Sequence, residues 1–406
     1  MSKLPTEIDH RLIAELKQGL PDRVRKRLQE ATDRIVEAKR SGGKIAVVTG
    51  SGPNLHEGVT TLIAELIRLG VVDGVTTSSA VVAHEMAGTL DRVKRVDGKA
   101  LGLPEAKLPH GGHFELSMME DADLQAIRKE IPIDDELLER LHQAKGKIIV
   151  KAAGNMAYPM GFRTERIARE VEQVAKIEGR PFEEIAGRGA DVHTMIGAGY
   201  QHAAPVLVTI PQLIGGGAVG LAIGDSISTT ERTARIARLL ADTDVIIESA
   251  VALTQEIHDG PFETYTGHGV WADWDGHPTY SLNGKSLIRI DLDSNLEKVC
   301  DIERGSASVQ AAIDKGLPKT KMFEIPFRME MSGFARLPGS IPIIGDIGVI
   351  WPILASEVTE ALNLDLEFSS YPQQTESGQA MRESIVRDVE FLARDKMLTS
   401  DLRMTT

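Results

Sequence analysis

One stretch constrains this chain more than any other: KIAVVTGSGPNLHEGVTTLIAELIRLGVVDGVTTSSAVVAHE, from Lys44 to Glu85. An apolar strand pattern stops at Gly50, Ser51 and Gly52, and a helical pattern follows at once. Glycine lets backbone N–H groups come close to a ligand, and a helix start attracts negative charge, so this turn is suited to phosphate. A second run, Gly215, Gly216, Gly217, Ala218, Val219 and Gly220, follows the apolar segment APVLVTIPQLI and matches the G-x-G-x-x-G spacing. Each turn also has a purely structural reading, since glycines after parallel strands serve tight turns and close helix packing. Neither run completes a dinucleotide fingerprint. The strand after the first ends in hydroxyls, Thr77 and Ser78, and Glu248 follows the second at more than the usual interval of about 20 residues.

From Lys44 onward, short apolar runs alternate with helical patterns, which predicts an α/β fold with a doubly wound, mostly parallel, Rossmann-like sheet. The predicted strands are KIAVVTG, VVDGVTTS, GKIIVKA, APVLVTIP, DVIIESA, SLIRIDLD and SIPIIGDIGVI. Residues 1–43 form a separate helical segment, with Ile8, Leu12, Ile13 and Leu16 along one stripe and Val24, Leu28, Ile35 and Val36 along another. A pair this small must bury its stripes on the main body or on a second subunit, and we expect a homo-oligomer. Residues 44–360 make the nucleotide-binding region, long enough for two lobes at 44–190 and 191–360, and 361–406 make a tail expected to pack on a neighbour. Two segments break the alternation and are predicted to be long functional loops, 88–118 and 258–285.

Composition narrows the partners. A formal net charge of −13 argues against nucleic acid and anionic membranes, and 4% aromatic content leaves little for stacking bases. The N-terminus lacks the charged start and apolar core of a secretory signal, and the single Cys300 excludes an internal disulfide, so a cytoplasmic protein is expected. SIPIIGDIGVIWPILA is apolar but carries Asp346 and is too short to span a bilayer.

Candidate chemistry collects at predicted strand ends. His84 and Glu85 follow VVDGVTTSS, and a histidine beside a carboxylate suits proton transfer near neutral pH, although the pair also fits an ordinary polar helix segment. Asp346 lies in a glycine-flanked turn after an apolar strand, where it would relay protons or cap a helix. Asp291 ends SLIRIDLD, where a carboxylate can accept hydrogen bonds from ribose hydroxyls. His110 and His113 are spaced H-x-x-H, but the intervening glycines disfavour one helical face, and substrate contact from a loop is the preferred reading. His258, His268 and His277, with Asp259, Asp273 and Asp275, match no ligand spacing, so no metal site is expected.

The order of these segments resembles the NAD-binding part of the LOR/SDH family, which includes archaeal and cyanobacterial ornithine cyclodeaminases. More remotely, the glycine turn and VVDGVTTS look like deoxyhypusine synthase, though its active-site lysine has no equivalent here. The resemblance implies bound NAD and a small amino acid or amine as substrate. By the same resemblance, hydride would leave a carbon bearing nitrogen, and the imine would lose ammonia or cyclise before the hydride returns. His84 and Glu85 would move protons, with Asp346 and His113 in reserve. Gly50, Ser51, Gly52, Asn54, Thr77, Ser78, Gly215, Gly216, Gly217, Gly220 and Asp291 would hold the dinucleotide. The competing expectations are a dehydrogenase that releases NADH and a nucleotide-binding assembly protein without turnover.

Overall fold

The computed structural model describes residues 4, 8–50, 52–130, 134–152, 160–213, 215–250, 284–303, 307, 311, 315 and 339–398. Among the described residues, nine strands form two sheets: β1 (Ile45–Val48), β2 (Gly74–Thr77), β3 (Asp91–Asp97), β4 (His113–Ser117), β5 (Gly146–Lys151), β6 (Val206–Val208), β7 (Val245–Ser249), β8 (Ser286–Asp291) and β9 (Ser340–Ile344). The larger sheet runs β6-β2-β1-β7-β8-β9, and every pairing in it is parallel. Counted along the chain, its strands stand in the order 3-2-1-4-5-6, the doubly wound Rossmann order. All residues of β1, β2 and β7 are buried, as a parallel sheet covered on both faces requires.

The N-terminal helices, His10–Gly19 and Asp22–Arg40, form where their apolar stripes predict. Leu28, Ala31, Ile35 and Val36 of the second bury against the chain's own β1, β7, β9 and the helix Ile347–Leu362. The stripe that motivated an expectation of self-association is therefore covered within one chain. The tail likewise closes on its own body. Tyr371 Oη accepts a hydrogen bond from Asp9 N at 2.7 Å, and the helix Glu376–Asp388 buries Met381 and Ile385 in the main core.

Two expectations are corrected. The 88–118 segment is not a loop throughout: it contributes β3 and β4 to a three-stranded antiparallel sheet ordered β4-β3-β5. Most of its glycines and its prolines sit in the connection between the two strands, while β3 buries Asp91, Val93 and Val96 and exposes Arg92 and Arg95. GKIIVKA is a strand, but it pairs with β3 in this small sheet and not with the parallel one. The expected loop at 258–285 lies outside the described residues except for its last two positions.

Candidate active site

In the 3-2-1-4-5-6 order, the chain changes winding direction between β1 and β7, and the crevice beyond their carboxyl ends is where such sheets bind ligands. The first glycine turn lies there. Gly52 begins the short helix Pro53–His56 at φ 59° and ψ −103°, a backbone that a side chain would strain, and a Cβ built on it would meet nothing within 4 Å. Gly50 is buried behind it, and Ser51 lies outside the described residues. Beneath the turn, the hydroxyls of Thr49 and Thr77 are buried without hydrogen-bond partners at adjoining strand ends.

Asn54 is hydrogen-bonded within the fold. Its Oδ1 accepts a 2.6 Å hydrogen bond from Ser249 Oγ, which in turn accepts one from Trp351 Nε1 at 2.9 Å. The amide thus ties the end of β1 to the end of β7 across the crevice floor. Ser78 caps the helix Ser79–Met86, accepting from Val81 N at 3.3 Å.

The second glycine run is packed on protein. Gly216 N donates to Ser79 Oγ at 2.8 Å, and that hydroxyl donates to Gln212 O at 2.7 Å. A Cβ on Gly216 would stand 2.6 Å from Ser79 O, and one on Gly220 would stand 1.9 Å from Leu213 O. These two glycines permit backbone contact, the structural alternative stated for them above. A Cβ on Gly215 would make ordinary contact with Ser79 Oγ at 3.9 Å, and Gly217, at φ 61°, faces open space.

His84 and Glu85 are both buried and diverge, as neighbours on a helix do. Glu85 accepts from Met195 N at 2.9 Å and Ile196 N at 3.1 Å, capping the start of the helix Met195–Gln201, while burial raises its carboxyl to about 7. His84 meets a different partner. Burial, then the nearby His56, lowers its pKa to about 4, and its Nδ1 is buried without a hydrogen bond. The expected tuning of His84 by Glu85 is replaced by desolvation and a second histidine.

His56 was not singled out in the sequence, although it ends the very turn that was. Its Nδ1 stands 3.2 Å from Arg382 Nη2 and its Nε2 stands 3.3 Å from Ala152 N. A neutral imidazole has one acceptor nitrogen, so only one of these N–H groups is bonded at a time. Burial, then the charges of Arg382 and Lys151, lower His56 to about 4. Arg382 comes from the tail helix, also donates to Val150 O, and keeps a buried Nε without a partner. Lys151 pairs with Glu115. Asp91 stands opposite Lys151 in the β3–β5 register, 3% exposed, and burial alone raises it to about 8.

The remaining candidates lie elsewhere or are engaged. Asp291 and Glu248 flank the buried Arg289 at 3.2 and 3.6 Å, and Asp291 also accepts from Asp293 N at 2.8 Å. Asp346 caps the helix Ile347–Leu362, accepting from Gly348 N at 2.8 Å. Gly348 leaves room for Glu57, whose carboxylate also accepts from Gln373 N at 2.8 Å. His113 is exposed and pairs opposite Asp97, six residues along β3 from Asp91 and so roughly 20 Å away at strand spacing. It does not join the cluster. A cavity of about 840 Å³ at the amino ends of β2 and β6 lies at the far end of the sheet, and its charged walls are occupied by pairs such as Arg68 with Glu65 and Arg235 with Glu231. Among the described residues, no group of three or more His, Cys, Asp or Glu side chains is arranged to hold a metal ion, and no helix is long and apolar enough to cross a membrane.

No protein-family model matches the sequence, and no curated protein matches it. Among solved structures, the chain is similar to an LOR/SDH protein from Methanococcus maripaludis S2, at 13% identity over 89% of this chain and 73% of that one, with a TM-score of 0.39. It is also similar to AgrE in a ternary complex with ornithine and NAD+, at 12% identity over 87% of this chain and 34% of that one, with a TM-score of 0.38. A third similarity is to ArgZ, an arginine dihydrolase from the ornithine–ammonia cycle in cyanobacteria, at 10% identity over 82% and 32%, with a TM-score of 0.38. The chain spans about a third of the length of the latter two proteins. Identities and TM-scores this low transfer no residue and no activity, and the α/β assignment stands on this chain's own strand order.

Proposed function

We propose that this chain is an NAD-dependent enzyme acting on an amino acid or small amine at the β1–β7 crevice. The observation that carries the reading is the open Gly52 turn at the winding reversal, with two neutral histidines beside it, the half-buried His56 and the buried His84. The residues fit a dinucleotide: the space beyond Gly52 is free for a phosphate, and the hydroxyls of Thr49 and Thr77 are unsatisfied at the strand ends. Bound NAD would supply transient oxidation of the carbon bearing nitrogen, giving an imine that one water hydrolyses with release of ammonia or that a second amine of the substrate attacks to cyclise, again releasing ammonia. The protein's own part is orientation, proton transfer and shielding of the hydride from bulk water. His84, unprotonated at neutral pH, offers Nδ1 as the proton acceptor, and the open glycine turn sets the cofactor's position relative to it.

Two measurements test this. NAD at ~100 times its dissociation constant should add about 2.7 kcal/mol to folding stability, read as a higher melting temperature; no shift with any nicotinamide dinucleotide and none released on denaturation removes the proposal. His84→Ala should lose ~10²- to 10⁴-fold in kcat while still binding NAD. With substrate present, an unchanged absorbance at 340 nm marks internal hydride return, and a steady rise would make the enzyme a dehydrogenase.

A further inference from the structure

The first turn does not hold itself. The helix Pro53–His56 is a single turn of four residues, and a lone turn is unstable because its first hydrogen bond must fix several dihedrals at once. Two of its bonds lead back to the glycine: Leu55 N and His56 N both donate to Gly52 O, at 3.1 and 3.0 Å. What fixes residues 56–58 therefore steadies Gly52. Asn54 and the buried Leu55 fasten one end of the turn to β7 and the core. The other end is gripped by the tail at three consecutive residues. Arg382 Nη2 stands 3.2 Å from His56 Nδ1, and the same nitrogen donates to Val150 O, which anchors it to β5. Gln373 N donates to the Glu57 carboxylate at 2.8 Å, and that carboxylate faces the Arg382 guanidinium. Gly58, at φ 71°, leaves its side-chain space to Met381: a Cβ there would stand 2.5 Å from Met381 Sδ. Met381 is itself buried in the main core.

We infer that Met381, Arg382 and the amide of Gln373 are positioning groups for the cofactor turn, so that dinucleotide affinity depends on a tail that acts through residues 56–58. The word cofactor rests on the proposed function; the hold of the tail on the turn does not. Coupling of this kind is reciprocal. If a docked tail raises the affinity for dinucleotide, bound dinucleotide holds the tail down by the same factor.

Hydrogen exchange on the full chain, read by mass spectrometry over residues 52–58 and 371–388, tests this. Saturating NAD should slow exchange in both segments. Arg382→Gln should speed exchange at 52–58 at least ~10-fold in the free protein, the worth of a charge-assisted hydrogen bond, while β8 and β9 exchange as before. The same variant should weaken NADH ~10-fold, within the usual range of coupling. Arg382→Lys keeps a cation opposite Glu57 and should restore part of that affinity. Met381→Ala acts at Gly58 without removing a charge and should move the same two readouts, which keeps the test open if Arg382→Gln unfolds. Unchanged exchange at 52–58 in a folded variant overturns the inference. Faster exchange there with NADH affinity intact overturns it too, as does a tail whose exchange ignores bound NAD. If the wild-type chain binds no nicotinamide dinucleotide, the proposed function fails, and exchange at 52–58 in the Arg382→Gln variant still decides whether the tail holds the turn.

Discussion

The two glycine turns of this chain look alike in sequence and do opposite things in the fold. Gly52 needs its freedom because the backbone there adopts a positive φ beside open space, where a ligand can approach. Gly216 and Gly220 need theirs because carbonyls of Ser79 and Leu213 occupy the place of a side chain. The run that matches G-x-G-x-x-G is the packed one. Glycine is selected wherever anything comes close to the backbone, and a spacing rule does not say whether that neighbour is a phosphate or the protein itself.

Substitutions that separate these two roles differ in size. Gly220→Ala should have the largest effect, on the order of 3 kcal/mol or more of lost stability, because a backbone carbonyl 1.9 Å away cannot move cheaply. NAD affinity of the remaining folded protein should be unchanged, and a native denaturant midpoint would show that the second turn is not packed as described.

The surroundings of the first turn should respond to pH in two opposing ways. His84 has a folded pKa near 4, below its unfolded value, so its contribution is complete above about pH 6.5 and is lost as pH falls toward 4; the span is ~3 kcal/mol. His84→Gln should flatten the acid limb of the stability curve. Asp91 has a folded pKa near 8, above its unfolded value, so its contribution is complete below about pH 4 and is lost as pH rises through 8. Asp91→Asn should therefore gain at least ~2 kcal/mol over wild type at pH 8. Equal stability of the two proteins across that range would mean Asp91 is ionised in the fold.

Gly52→Ala should cost ~1–3 kcal/mol through backbone strain alone and should abolish dinucleotide binding, measured by fluorescence titration of NADH. Retained affinity in the folded variant would move the phosphate site away from the first turn. Ser79→Ala should have the smallest effect, ~1–2 kcal/mol, by removing the hydroxyl that links Gly216 N to Gln212 O. It should not alter NAD binding, whereas a loss of affinity would restore a ligand role to the second turn.

Much of the architecture was legible because it depends on local pattern. The continuous apolar runs of β1, β2 and β7 mark strands buried on both faces, and the stripe of Leu28, Ile35 and Val36 marks a helix lying on them. The small sheet was less legible. β3 reads DRVKRVD, charged at every position but its two valines and followed by a glycine-rich connection, so it has the composition of a loop and no clean strand period. At the candidate site, the first turn and His84 could be singled out from their place after strands. His56 could have been noticed as a titratable residue inside the turn, but Arg382 had no local signal, since it reaches His56 from 326 positions away.

The sequence by itself therefore determined the alternation of strands and helices, the N-terminal helix pair, and the end of the sheet at which chemistry should lie. These follow from periodicity, burial of apolar runs and glycine turns, which act within a few residues. The tertiary structure alone decided which glycine turn stays open, that Glu85 caps a helix while His84 faces His56, and that the tail returns Arg382 to the crevice. Those outcomes depend on which side chains meet across the chain, and charge, burial and hydrogen bonding are set by those neighbours and not by the residue types themselves.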